Sequence, residues 1–417
     1  MEPTAVNGAR VYERLGQLAA IGSLGESGGV CRLALTVNDR RAVELVRGWM
    51  EEAGMTTRLD AFGNLIGRLE GEQPDMPAIM LGSHIDTQPY AGRYDGTVGV
   101  IGAIEVAATL REKGQVLPVA LEVAAFCDEE GTRFNKGLFG SRGLVGLLEE
   151  GELERTDRDG VTRREALVAF GGDPARFAES QYAPGKLAAY LEMHIEQGPV
   201  LQALDCPVGI VTGISGPLWL TLELFGYAGH AGSVPMNMRR DAMVGAAKVV
   251  TAVHGLAARD LTTPSVATVG TLDVFPDSRN IIPEKVRMTI DLRDIDLERR
   301  RAMERELYDS IESICREHGL TYTIREDTNS EPRYCDPTIM STIAEAAAEF
   351  CGSAPQLMSG PFHDALALSH YCKYGMIFVR CRDGISHNPQ EYASREDIQC
   401  GTELLYRTVL KLSGTMG

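Results

Sequence analysis

Several strand-like runs of this chain end in side chains that bind metals or move protons. GSHIDT carries His84 and Asp86, and GRYDG places Asp95 a short loop further on. AAFCDEEG ends in Asp128, Glu129 and Glu130, three adjacent carboxylates before a glycine. MHIEQG supplies His194 and Glu196, and GISHNP supplies His387. Like charges crowded in this way repel, so a metal ion or a proton is expected among them.

Imidazole plus carboxylate without thiolate suits zinc, manganese, cobalt or nickel, and does not choose among them. Three histidines and two carboxylates serve two ions if one carboxylate bridges. Asp95 is the natural bridge, because it stands just before a helix and close to the end of the His84 strand. His84 and Asp86 share one face of a strand, which lets Asp86 orient the His84 ring from behind. Neighbouring strand residues point to opposite sides, so Glu129 and Glu130 are not expected on one ion. One of them binds metal, and the other faces the attacking water as general base. Asp128 is expected to be solvated or to cap the following turn. His254, His318 and His370 read as structural or exposed.

Such groups converge only if the chain brings its strand ends together. In open α/β sheets ligands bind beyond the carboxyl ends of the strands. Residues 39 to 53 and 95 to 114 read as helices, each stopped by a glycine. They alternate with strand-like runs in PAIMLGSHIDT, PVALEVAAFCDEE, KLAAYLEMHIEQG and MIFVRCRDG. The expected class is therefore α/β, with a mostly parallel sheet covered on both faces. The middle of the chain differs. Its strand and helix patterns run βαββαβ, a compact ferredoxin-like unit placed at about 213–330. This unit is read as an insertion into a larger domain of 1–212 and 331–417, with the turn-rich TGISGP and DTNSEPRYCDP as boundaries.

The bulk properties agree. A chain of 417 residues is long for one core. A net charge of −17 argues against nucleic acid or an anionic membrane surface as partner. It also means that an anionic substrate needs a local arginine. The opening MEPTAVNGARVYERLG shows no apolar leader-like core, and no stretch approaches a membrane-spanning length. The nine cysteines are scattered without CxxC spacing and read as thiols of a reducing cytoplasm.

Taken in order, GGVCRLALT, GNLIGRLEG, GSHIDTQPYAGRYDGTVGV, FCDEEGTRF, HIEQGPVL, GYAGHAGSVPMNMRRDA, RNIIPEKVRMTIDLRD, SGPFHDA and GISHNPQEYAS run over most of the chain. Together they resemble the hydantoinase/carbamoylase branch of the di-metal aminoacylase and carboxypeptidase clan. The resemblance implies His84, Asp95 and His194 on one divalent ion, and Asp95, Glu130 and His387 on the other, with Glu129 as base. It implies that the inserted unit is a lid that forms a homodimer, and that His230 reaches a substrate oxyanion, often across that dimer. Gln197, Asn280 and Arg293 match positions that hold the ureido and carboxylate ends of a small substrate. Gly360 lines the same pocket, and His363 and Asp364 stand beside it.

These roles make physical sense. Arg293 offers the cationic fork a carboxylate needs, its alternative being an ion pair with Asp291 or Asp294. His230 lies between Gly229 and Gly232, where a packed core histidine is less expected, while Asn280 also suits a turn. Pro361 and Phe362 depart from the small residues more usual in the branch and put side-chain preference in doubt. Arg380, Arg382 and Asp383 in VRCRDG look like the bacterial carbamoylase version of that loop.

The activity so implied is hydrolysis of the ureido C–N bond of N-carbamoyl-L-amino acids. Allantoate and N-carbamoyl-β-alanine are the alternative substrates, since all three pair a carboxylate with a ureido group. A dipeptidase of the same clan is a further alternative. So is a non-catalytic metal-binding module with a hinged lid, against which Glu129 beside Glu130 speaks, because binding alone needs no base.

Overall fold

The computed structural model describes residues 4–415; the first three residues of the polar opening stretch lie outside the described residues. The chain divides into two compact units, one of Gly213–Tyr334 and one made of the chain on either side of it.

The larger unit is built on a mixed sheet. Its path runs Thr56–Leu59, Leu65–Leu69, Leu121–Phe126, Ala78–His84, Leu187–Ile195, Lys373–Val379 and Val208–Ile214. The four strands from Leu121–Phe126 to Lys373–Val379 pair in parallel, and the flanking pairs are antiparallel. The sheet is therefore parallel only in its centre, which corrects the expectation of a mostly parallel one. The physical reason is connection length. Thr56–Leu59 and Leu65–Leu69 are joined by a tight hairpin, which closes only antiparallel neighbours, whereas parallel strands need a crossover.

AIMLGSH and LEVAAF are buried at every position, as expected for strands covered on both faces. Among the covering elements is the helix Thr97–Glu112, whose TVGVIGAIEVAATL stretch is buried throughout. Gly99 lets this helix lie against the sheet, since a Cβ there would stand 2.3 Å from the Met193 carbonyl oxygen.

Parallel pairing carries a consequence for chemistry. His84 lies opposite Phe126, and His194 lies opposite Phe378. Four carboxyl ends therefore stand side by side, each about 4.8 Å from the next.

In Gly213–Tyr334 the chain order is βαββαβ. The sheet runs Thr321–Asn329, Gly216–Phe225, Lys285–Asp294 and Val266–Phe275, all antiparallel. Leu218, Leu220, Leu222 and Leu224 alternate with outward residues and pack with Val286, Met288, Ile290 and Leu292. The helices Ala242–Ala258 and Leu297–His318 contribute Val249, Val253, Leu307 and Ile311 to the same core. The period-two pattern of the strands selects which face the helices cover.

Candidate metal and catalytic site

The strand Ala78–His84 delivers His84 to its carboxyl end, where the ring is 2% exposed. Its Nδ1 lies 3.0 Å from the Asp86 main-chain carbonyl, which can only accept, so Nδ1 carries the proton. Nε2 is left as a lone pair, 3.5 Å from Asp95 Oδ1 and 3.6 Å from Glu129 Oε2. His194, ending its own strand, repeats the arrangement. Nδ1 donates to the Ile195 carbonyl at 2.9 Å, and Nε2 faces Asp95 Oδ1 at 3.1 Å. Lone pairs aimed at a carboxylate from two sides call for a cation between them.

Asp95 stands at the turn into the helix Thr97–Glu112, and its two oxygens face different ways. Oδ1 meets His84 and His194, while Oδ2 lies 3.1 Å from His387 Nε2. His387 Nε2 is in turn 3.7 Å from Glu130 Oε1, an oxygen with no hydrogen-bond partner among the described residues. His84, Asp95 and His194 can thus converge on one ion, and Asp95, Glu130 and His387 on another. Gly96 makes the approach possible: its φ is +64°, and a Cβ would stand 2.4 Å from the His84 ring.

A third grouping, Glu192 with His194 and His363, is geometrically available but chemically weaker. Glu192 Oε1 already accepts from Ser83 at 2.7 Å, and Oε2 accepts from Tyr190 and the Ala365 N–H. The ring of His363 packs edge-on to His194 at 4.4 Å, with its Nε2 2.8 Å from Ser359 Oγ. Burial holds His363 well below the usual imidazole range.

The electrostatics show how much negative charge is gathered here. Burial works against protonation of His84, yet Glu129, Asp95 and Asp86 hold it well above the usual imidazole range. Burial pushes Glu129 well above the ordinary carboxylate range, aided by Asp364 and Glu130. Burial also raises Glu130, with Asp95 as its strongest charged neighbour. Asp95 goes the other way: although burial opposes it, the imidazoles of His194, His387 and His84 ranged around it hold it well below the usual range. The donor set fits hard or borderline divalent ions.

Asp86 does more than the spacing suggested. It meets His84 Nδ1 through its main-chain oxygen, and its carboxylate accepts the N–H groups of Glu129 and Glu130, each at 3.2 Å. The expectation for Asp128 is overturned. It is 1% exposed, adopts a φ of +55° and pairs with the fully buried Arg163 at 3.1 Å. That guanidinium also lies over the Phe134 and Phe139 rings, so the first carboxylate of the triplet anchors the loop that carries the other two.

Of the other expected site residues, Gln197 joins the cluster. Its amide donates to Asp95 Oδ2 at 2.8 Å and to Ser386 Oγ at 3.1 Å. Gln197 and His387 both adopt left-handed backbone, with φ of +56° and +53°, a strain that clusters at functional sites. Gly360 follows the strand Gln356–Ser359, three residues before His363.

His230, Asn280 and Arg293 belong to the Gly213–Tyr334 unit. His230 pairs with Ile281 and accepts the Gly232 N–H at Nδ1, so the proton sits on Nε2. The Asn280 carbonyl accepts the Ala231 N–H at 2.8 Å, which puts Asn280 beside His230. Arg293 pairs with Asp291 at 2.8 Å, the alternative named for it from sequence.

Sequence reasoning missed Glu192, Gln88, Ser386 and Glu391. Gln88 donates to Glu130 Oε2 at 2.6 Å, and Thr132 donates to Gln88 at 2.6 Å. Glu391 is buried and raised to about 7, by burial first and then by Asp95. Glu192 is a polar residue inside a buried strand and the other three lie in loops without a periodic signal, so only burial could have flagged them.

The family model described as peptidase family M20/M25/M40 matches residues 80–411. An N-carbamoyl-L-amino-acid amidohydrolase of Pseudomonas sp. (strain NS671) is 44% identical, over 99% of this chain and 100% of its own. An allantoate deiminase of Arabidopsis thaliana is 37% identical, over 86% of this chain and 74% of its own. A crystal structure of an amidase of the hydantoinase/carbamoylase family from Burkholderia multivorans superposes with a TM-score of 0.90 at 36% identity. That superposition covers 97% of this chain and 98% of the Burkholderia chain.

Proposed function

The chain belongs to the peptidase family M20/M25/M40, and from that premise we propose that it hydrolyses the ureido C–N bond of N-carbamoyl-L-amino acids. It is a hydrolytic enzyme acting on amide-type bonds. The products are the L-amino acid, ammonia and carbon dioxide. The observation that carries this reading is the division of Asp95, with Oδ1 toward His84 and His194, Oδ2 toward His387, and Glu129 beside them.

His84, Asp95 and His194 would hold one divalent ion, and Asp95, Glu130 and His387 the other; zinc, manganese, cobalt and nickel all suit the set. Such ions, when bound, polarise a carbonyl and make water a stronger acid. Glu129 takes the proton of the attacking water as its oxygen bonds to the ureido carbon, then delivers that proton to the departing nitrogen. Asp86 keeps Glu129 and Glu130 in place through their main chain. His230, protonated on Nε2, donates to the developing oxyanion. Gln197, Asn280 and Arg293 hold the ureido and carboxylate ends, and Gly360 leaves room beside them.

The inserted βαββαβ unit acts in this reading as a lid and as the contact of a homodimer. Distances within that unit support it. His230 and Asn280 sit by Ile281, before the Lys285 end of the strand Lys285–Asp294, and Arg293 sits near its other end. At about 3.4 Å per residue these ends lie roughly 27 Å apart, too far for one small substrate to touch both. In this reading a small substrate held by Arg293 meets the His230 of a second copy of the chain. A cytoplasmic setting belongs to the same reading, supported by nine free cysteines. No helix among the described residues is long and apolar enough to cross a membrane.

The test is ammonia release by manganese- or cobalt-loaded protein from N-carbamoyl-L-methionine and from allantoate, each with and without chelator. Chelator-sensitive turnover of the carbamoyl amino acid is expected. Turnover of allantoate alone would transfer the same site to the second substrate, for which the 37% identity to a plant allantoate deiminase speaks.

A further inference from the structure

One buried carboxylate ties the His387 loop to the Asp95 loop without belonging to either candidate ligand group. Glu391 is 4% exposed. Its Oε1 accepts the main-chain N–H of Tyr94 at 2.7 Å and that of Asp95 at 3.1 Å. Its Oε2 lies 3.0 Å from Ser386 Oγ, and that hydroxyl is also 2.7 Å from Asp95 Oδ2. The glutamate thus grips Asp95 through its main chain, and its other oxygen stands beside the hydroxyl whose one proton lies between the two carboxylates. The fit is close: a Cβ at Gly92 would stand 2.3 Å from Glu391 Cβ. Glu391 and His387 share one loop, so the same contacts set the distance between His387 and Asp95.

We propose that Glu391 is the positioning residue for Asp95, the carboxylate that the two ion positions share, and that it acts through hydrogen bonds rather than charge. The proposal rests on the two-ion reading above. Its signature follows from sharing. A residue that acts through Asp95 should change the affinity for both ions together, whereas a defect confined to His387 should change one. Partners at this remove from a metal typically alter its affinity by about 10–100-fold.

Two substitutions separate reach from charge. Glu391→Gln keeps the length and an acceptor oxygen but loses the charge. Glu391→Asp keeps the charge but is one carbon too short to reach the Tyr94 and Asp95 N–H groups. The experiment is calorimetric titration of the metal-free full chain with Co²⁺, read alongside the visible absorption of the bound cobalt and a melting curve of each metal-free protein. Glu391→Asp is expected to weaken both binding steps by about 10–100-fold and to alter the cobalt absorption, with Glu391→Gln close to wild type. Three results would overturn the proposal: Glu391→Asp binding both ions like wild type, only one step weakening, or Glu391→Gln falling as far as Glu391→Asp. A wild-type chain that takes up fewer than two ions would instead remove the two-ion reading, and the proposal with it.

Discussion

The carboxylate of Asp86 holds Glu129 by its main chain: Oδ1 accepts the Glu129 N–H at 3.2 Å, while Oδ2 accepts that of Glu130 at the same distance. The residue two positions after the first histidine thus sets the height of both glutamates above the strand ends. Asp86→Ala would leave two buried N–H groups without partners, at about 1–3 kcal/mol each. The expected result is a lower melting temperature together with a kcat loss of roughly tenfold or more. Asp86→Asn keeps one acceptor and should lie between. Parallel melting and steady-state kinetics on the three proteins would check this, and an Ala variant as active as wild type would refute it.

Glu129 and Glu130 should separate cleanly by assay. Glu129→Gln is expected to keep both ions and lose turnover by about 10²–10⁴-fold, since removal of a general base costs that much. Glu130→Gln, which alters an oxygen facing His387, should lose one ion of the pair. Elemental analysis of the purified variants decides, and loss of metal from Glu129→Gln would exchange the two roles.

Metal uptake should depend on pH through His387. Its hydrogen bond to Asp95, working against burial, raises it to about 9. A ligand imidazole must be neutral, so below pH 9 each binding event at that position displaces a proton. Affinity should therefore rise with pH, up to about tenfold per unit for one displaced proton, and level off near pH 9. Titrations at about pH 6.5, 7.5 and 8.5, all below the expected levelling, in buffers of different ionisation enthalpy measure both the slope and the protons released. A flat profile would refute the assignment of His387.

The reading in which His230 serves the site of the second subunit predicts complementation between subunits. His230→Ala and Glu129→Gln proteins are each expected to be nearly inactive. Mixed in equal amounts and allowed to exchange, half of the dimers become hybrids with one complete site of two. Activity should return to about a quarter of wild type. No recovery, with subunit exchange demonstrated, would place His230 in its own subunit's site.

Much of the site was legible before any coordinates. Buried strands read as unbroken apolar runs, and each ended in a histidine or a carboxylate. His84 and His194 lie at the carboxyl ends of their strands and Glu129 three residues beyond another, because parallel pairing aligns those ends. Asp128 shows where such reading stops. A carboxylate in a loop is ordinarily solvated, and nothing local announces that Arg163, 35 positions later in the chain, comes back to pair with it. Glu391 is a sharper case, since its partners Tyr94 and Asp95 lie 297 and 296 positions away.

The sequence by itself therefore determined the kind of chemistry: which side chains are available, on which strand ends, and in an order that marks the family. The alternating pattern also determined that a second unit interrupts the first, because hydrophobic period is a local property that survives without neighbours. Only the tertiary structure decided which oxygen of Asp95 faces which histidine, and that Asp86 grips two glutamates rather than only steadying a ring. It also decided that the sheet is antiparallel at its flanks. These are matters of ångström distance between segments remote in the chain, and close packing sets such distances where no local propensity can.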